Sequence, residues 1–390
     1  MSGLRRITVQ ERRNRLAVRH LLSAPGESPE EVADAMVVLH ATDPATIYLS
    51  TVARLRCPSL EAVDTAMFVD RSMVRMLAMR RTLFVATRSL LPLIEQSSSV
   101  DVAAKERKVL VNALESAGVA DGEGWVAEAE REILAALGEG GATARELTQL
   151  VPRLSSRIIV GSGKFIQETG ATSRTLGVLG AEGTLIRGKP AGSWTGRIYT
   201  WHERSAWLGS EAPRPDPEIA ATGLVERWLW TFGPATFNDL KWWTGWTVAK
   251  LRSALNPLEL AEVDMDGMAG LVLAADAAAA VSVEPWVALL PSLDPTPMGW
   301  KERTWFLGDH AGSLFDRNGN IGPTIWVDGR IVGGWGQAAS GEIRLGLLEG
   351  IGADHRDMLD ERVQRLAGCL GGTVIRPSFP TPLQKELSTD

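Results

Sequence analysis

Three side chains able to handle protons and water fall within the four residues His40-Ala41-Thr42-Asp43, directly ahead of Pro44. An imidazole with an ordinary pKa near 6.5 can accept a proton from water at neutral pH. A threonine hydroxyl can hold that water, and a carboxylate can stabilise a reacting centre that becomes positive. Residues two apart converge where a helix ends, so His40, Thr42 and Asp43 are the candidate catalytic set. The same residues also have a plain structural use. His40 can close a helix, Thr42 or Asp43 can bond to local backbone, and Pro44 can open the next helix.

The elements that must position this tetrapeptide begin with helical spacing over 5–22 and 29–40. Ser28-Pro29-Glu30-Glu31 supplies a capping serine, a first-turn proline and acids at the positive end of the helix dipole. Further helices are predicted over 60–68 and 70–77, and a strand over 80–87. The order of helices then strand recurs. Residues 124–137 form an amphipathic helix. Residues 142–151 follow, with Thr143 and Glu146 as a capping box. A third helix ends near Gly183, and a strand with a returning strand spans 188–203. After the proline- and charge-rich linker 209–218 come two more helices, the second capped by Thr236 with Asp239. A third helix follows, then a strand, turn and strand over 260–275 around Asp266-Gly267. The segments 141–147 and 234–240 occupy the same place in their units. This internal repetition predicts tandem winged-helix units. The remaining sequence alternates strands with glycine turns, Asp328-Gly329 being a strong hairpin signal, around one helix over 354–370. The expectation is an α+β chain: three tandem winged-helix units over 1–120, 121–208 and 216–283, then a small β-rich, barrel-like domain over 284–390.

Composition narrows the functional classes. The chain has 390 residues, 45% hydrophobic and 23% charged, enough for a sizeable core. A net charge of −6 argues against a uniformly basic surface while leaving room for a local basic face. Cys57 and Cys369, far apart in apolar contexts, read as buried inert thiols in a reducing compartment, and no metal-ligand spacing exists. The N-terminus lacks a signal-like apolar segment, and the run 270–283 contains Asp276 and is too short to cross a bilayer. These features predict a cytoplasmic protein without membrane contact. Fourteen tryptophans against two tyrosines fit core packing first and base stacking second. The glycines of 329–335 precede no helix, and Gly161-Ser162-Gly163-Lys164-Phe165 is too short for a phosphate loop. No cofactor is expected.

With "DRSMVRMLAMRRTLF", "FGPATFNDLKWWTG", "LLPSLDPTPMGWKERTWF" and "GPTIWVDGRIVGGW", the sequence resembles the winged-helix family that contains the AlkZ-like DNA glycosylases. The resemblance runs over nearly the whole chain. It implies three winged helices around a concave, DNA-sized channel, followed by a β domain. It also implies removal of bulky alkylated bases, and activity on crosslinks. The family's catalytic motif is glutamine, an apolar residue, then glutamine or aspartate at the end of an early helix. That motif aligns with the opening tetrapeptide, which here reads His40-Ala41-Thr42, a departure at both polar positions. An alkylated purine is already a cationic leaving group, so the chemistry needs a positioned water and a negative charge more than an acid. The resemblance also places Asp294, in the 289–303 loop, facing the channel; the plain alternative is a turn capped by Asp294.

The expected partner is double-stranded, damaged DNA, bound by a monomer. In the first unit Arg71, Arg75, Arg80 and Arg81 are candidate DNA contacts, with Arg71 and Arg75 four apart on one helix face. The second unit offers Arg174, Arg187, Lys189 and Arg197, on a hairpin whose glycines permit close approach to phosphate. Lys241, Lys250 and Arg252 add to this in the third. Lys301 and Arg303 follow in the C-terminal part. Trp194 is a candidate wedge at the hairpin tip, or a residue that packs back on its own unit. Two further classes remain open: a non-catalytic winged-helix DNA-binding protein, acting as regulator or lesion shield, and a scaffold for protein contacts.

Overall fold

The computed structural model describes residues 4–138, 140–161, 166–210, 212–280, 282–377 and 380–389. Most of the short glycine stretch 161–165 therefore lies outside the described residues. The architecture is mixed α+β.

The first segment holds β1 (Arg5–Arg6), α1 (Val9–Arg19), α2 (Pro29–Ala35), β2 (Leu39–His40), α3 (Pro44–Val52), α4 (Leu60–Asp64), β3 (Met73–Ala78), β4 (Thr82–Thr87), α5 (Leu91–Ile94) and α6 (Val100–Ser116). Helix α2 starts as its sequence dictates, with the Ser28 hydroxyl accepting the Glu31 N–H and Pro29 in the first turn. It stops five residues earlier than the helical spacing suggests. Val37 takes a left-handed φ of 64°, and the chain turns into β2.

The predicted helix over 70–77 is a strand. Met73, Arg75, Met76 and Leu77, none of them β-branched, are good helix formers, but β3 pairs along its whole length with β4, and burial on the sheet overrides that propensity. Strand order is β2-β4-β3, so His40 sits at a sheet edge opposite Phe84.

The second segment comprises α7 (Gly122–Ala136), β5 (Ala142–Thr143), α8 (Ala144–Leu150), β6 (Arg157–Val160), β7 (Gln167–Gly170), α9 (Ala171–Glu182), β8 (Leu185–Pro190), β9 (Tyr199–Glu203) and α10 (Arg204–Leu208). The Thr143–Glu146 capping box is present, and α9 ends at left-handed Gly183. The third segment runs α11 (Pro217–Phe232), α12 (Phe237–Thr244), α13 (Val248–Leu255), β10 (Leu260–Met265) and β11 (Met268–Leu273). Thr236 and Asp239 cap α12 reciprocally, as their spacing predicts. Strand β1 adds in parallel to the β10–β11 hairpin, tying the first segment to the third.

The C-terminal part holds β12 (Val287–Leu290), α14 (Thr304–Leu307), α15 (Ala311–Leu314), β13 (Thr324–Val327), β14 (Arg330–Gln337), β15 (Ile343–Leu347), α16 (Ala353–Leu370) and α17 (Pro382–Ser388). Asp328-Gly329, both with positive φ, make the β13–β14 hairpin turn. The sheet is open, in the order β12-β13-β14-β15, so the barrel-like expectation does not hold. Its apolar side chains pack on α16 and on Leu49 and Val52 of α3 rather than closing on themselves.

Residues between Leu110 and Trp201 have a core of their own, whereas the first, third and C-terminal segments share one large core. Most tryptophans are consumed there, Trp228 and Trp326 fully buried, while Trp230 is half exposed. Cys57 is exposed and Cys369 half-buried, against the expectation of two buried thiols. Cys57 lies in the link between α3 and α4, where apolar sequence neighbours give no cover. Among the described residues no helix is long and apolar enough to cross a membrane.

Candidate active-site cleft

His40, Thr42 and Asp43 line one cleft of about 430 Å³. Local structure explains how. The Ala41 N–H donates to the Leu83 carbonyl at 2.8 Å, extending the β2–β4 pairing by one residue. Asp43 is the N-cap of α3: its Oδ1 accepts the Ala45 N–H at 3.1 Å, and Pro44 occupies the first turn. Edge strand and helix N-terminus thus meet at the tetrapeptide. The local-backbone role foreseen for Asp43 is present, and its Oδ2 remains 3.9 Å from the Arg197 guanidinium.

The Thr42 N–H points at His40 Nδ1 at 3.4 Å. A ring nitrogen that accepts a hydrogen bond carries no proton, so the neutral ring bears its proton on Nε2. The imidazole stands edge-on to Phe84 with centroids 5.5 Å apart. Burial first, then the charges of Arg80 and Arg75, push His40 down to about 4. The ring is therefore neutral at pH 7.

The opposite wall comes from the 291–300 loop, through Ser292, Leu293, Pro295 and Met298. A buried polar network anchors that loop. Asp294, fully enclosed, receives two hydrogen bonds from Arg54 at 2.7 and 2.8 Å and one from the Ser50 hydroxyl at 2.7 Å. Arg54 also donates to Thr296 Oγ1 and to the His20 carbonyl. The expectation that Asp294 faces a channel is contradicted: a carboxylate bound to the buried guanidinium of Arg54, just past the end of α3, is turned inward. It fixes the loop that forms the wall.

The predicted cations divide sharply. Arg75 is buried, donates to the Ala41 carbonyl and lies 4.3 Å over the Tyr199 ring. Arg71 stacks on Trp207 and donates to its carbonyl, so these two arginines do not form a DNA-facing helical stripe. The reason is that no helix joins them: Arg71 sits at a left-handed φ of 54° ahead of β3, and only Arg75 is on the strand. Arg187 stacks on Trp201, and burial, then Arg75, push it down to about 9. Arg81 and Arg174 pair with Glu106, and Lys189 with Asp64. Trp194 packs on Tyr48 at 5.1 Å, so the tryptophan is drawn back from the hairpin tip. Ile198, 64% exposed, is the apolar residue that the hairpin presents.

Arg80 and Arg197 reach the cleft. Arg80 lies 4.3 Å over Trp242, with Arg303 against the same indole at 5.1 Å. Burial holds both guanidinium groups below their ordinary range. Gly245, at φ 69°, makes room: a Cβ there would come within 2.8 Å of the Arg80 side chain. Lys301 is exposed.

Among the cleft residues that escaped sequence reasoning are a carboxylate and an amide. Asp316 and Asn320 line the cleft from the turn after α15. Burial raises Asp316, but hydrogen bonds from Asn320 and from the Asn318 N–H outweigh this and hold the carboxyl below its usual range. The spacing Asp-x-Asn-Gly-Asn was the available signal for a carboxylate-centred turn.

A family model described as DNA glycosylase AlkZ-like matches residues 33–369. An interstrand DNA cross-link repair glycosylase of Streptomyces sahachiroi is 29% identical over 130 residues, 31% of this chain and 35% of that protein. The match thus spans about a third of the relative's length. The solved structure of the Streptomyces sahachiroi DNA glycosylase AlkZ resembles this fold with a TM-score of 0.75, over 93% of this chain and 97% of that one, at 22% identity. With the family model covering most of its length, the chain belongs to the AlkZ-like DNA glycosylase family.

Proposed function

We propose that this protein hydrolyses the N-glycosidic bond of alkylated bases in double-stranded DNA. In this reading three winged-helix units, within 1–120, 121–208 and 216–283, grip the duplex, and the 284–390 part completes the cleft wall. The observation that carries the reading is the meeting of His40, Thr42 and Asp43 with Arg80 and Arg197 in one largely apolar cleft.

The reaction follows from charge. When the C1′–N bond of an N7-alkylated purine breaks, its electron pair goes to the base, which leaves neutral, and the sugar becomes oxocarbenium-like. Asp43, held by its capping bond, supplies the negative charge and accepts the proton of the water that attacks C1′. Thr42 is exposed, and its hydroxyl holds that water. His40 offers Nε2–H rather than a lone pair, so it orients water or a sugar oxygen as a donor instead of acting as the base. Arg80, Arg197, Lys301 and Arg303 serve the phosphates. Because a relative is named for interstrand cross-link repair, crosslinked duplex is a second substrate class to assay.

The test is abasic-site formation in duplex DNA containing N7-methylguanine. We expect release by the wild-type protein and its loss, with duplex binding kept, in Asp43→Asn; His40→Ala reduces it. Binding without release from any lesion supports the alternative, a non-catalytic lesion-shielding or regulatory protein, for which the missing glutamine motif is the favouring observation.

A further inference from the structure

Arg75 is an unusual cation. It is 6% exposed, no carboxylate lies within ion-pair distance among the described residues, and its Nε has no hydrogen-bond partner. A buried guanidinium without a counter-ion is costly, so its position needs a reason. Its bonds supply one. Its Nη2 donates to the carbonyl of Ala41, the central residue of the candidate motif, and its plane covers Tyr199 from β9. The Ala41 N–H is held by Leu83, and the Ala41 side chain is fully buried. Leu83 thus holds the His40–Ala41 peptide group through its N–H, and Arg75 holds the Ala41–Thr42 peptide group through its carbonyl.

We propose that Arg75 is a positioning residue for the cleft chemistry: a buried cation that fixes the Ala41 peptide, aims His40 and Thr42 into the cleft, and ties them to the β8–β9 hairpin through Tyr199. This rests on the glycosylase reading for its kinetic consequence, but not for its geometric one. The charged groups around His40 are Arg75 and Arg80 from β3 and its turn, Arg197 from the hairpin, Asp43 beside it and Asp316 across the cleft. Removing Arg75 takes away one of the two cations that disfavour a protonated His40.

The experiment compares wild type, Arg75→Met and Arg75→Lys. Single-turnover base release from N7-methylguanine duplex, duplex Kd, thermal melting and the NMR titration of His40 are measured for each. Arg75→Met is expected to lose on the order of 100-fold in release rate, as for a group misplaced by about 1 Å, with Kd nearly unchanged. Its His40 midpoint rises only slightly from about 4, because burial and Arg80, the larger causes, remain. Arg75→Lys keeps the charge and the low midpoint, but loses rate because an ammonium cannot stack and donate in the same plane. If Arg75→Met does not fold, Arg75→Lys carries the kinetic test. Wild-type rates in either folded variant overturn the proposal, as does a loss of Kd equal to the loss of rate, which marks a direct phosphate contact. If wild type releases no base, the glycosylase reading fails, and the backbone amide NMR shifts of Ala41 and Thr42 still decide the geometric claim: unchanged shifts in folded Arg75→Met contradict it.

Discussion

A half-buried histidine packed against Phe84 and flanked by Arg75 and Arg80 resists protonation, and this has a thermodynamic signature. The folded chain holds His40 at about 4, against an ordinary 6.5. Between those values the unfolded chain binds more protons, so stability is complete above about pH 6.5 and is lost as pH falls toward 4. The interval is worth at most about 3 kcal/mol. His20, pushed well down by burial and then by Arg54, acts in the same direction. We predict a lower Tm at pH 5 than at pH 7, and a shallower decline in His40→Gln, as read by thermal denaturation. The same variant restores the glutamine of the family motif and keeps a donor in place. Its base release should fall by less than the roughly 100-fold that loss of a general base costs. An identical pH slope in His40→Gln contradicts the assignment of His40 as neutral in the folded protein. The residue types of this site were legible in the sequence, as was the capping role of Asp43. The tautomer was not, because it depends on where the Thr42 N–H points after the chain leaves β2.

At the scale of elements, the cleft depends on a contact made far along the chain. The C-terminal end of α3 and the 291–300 loop are joined by Asp294, which binds Ser50 of the helix and Arg54 just past it, Arg54 and Asp294 both being fully buried. Asp294→Asn leaves the guanidinium without its counter-charge, and a buried pair broken from one side costs about 3–5 kcal/mol. Chemical denaturation should show this loss. Because the same loop carries Leu293 and Met298 into the cleft, base release should fall with it. Unchanged stability would mean that the pair does not hold the wall. Sequence could not reveal such a pairing across 240 residues. It did reveal α12, whose Thr236–Asp239 box and terminal Gly245 are local signals. It failed at β3, where Met, Leu and Arg carry helical propensity and only pairing with β4 decides the outcome. The open C-terminal sheet follows from the same kind of distant contact, its apolar face being taken by α16 and α3.

Across the whole molecule, a net charge of −6 coexists with a small set of cations near the cleft that have no carboxylate partner among the described residues. Arg80 and Arg303 share Trp242, while Arg81, Arg174 and Lys189 are spent on internal pairs. The first, third and C-terminal segments share one core, and that shared packing brings His40, Arg80, Leu293 and Asp316 to one cleft although they span most of the sequence. The central claim is that Asp43 in this cleft favours a cationic sugar. It is tested most directly by the affinity of two abasic-site mimics in otherwise identical duplexes, one a protonated pyrrolidine and one a neutral tetrahydrofuran. The wild-type protein should bind the cationic mimic tighter by about 100-fold or more, as expected for transition-state resemblance, and Asp43→Asn should lose that preference. Equal affinity of the wild-type protein for both mimics, or a preference that survives in Asp43→Asn, would contradict the account.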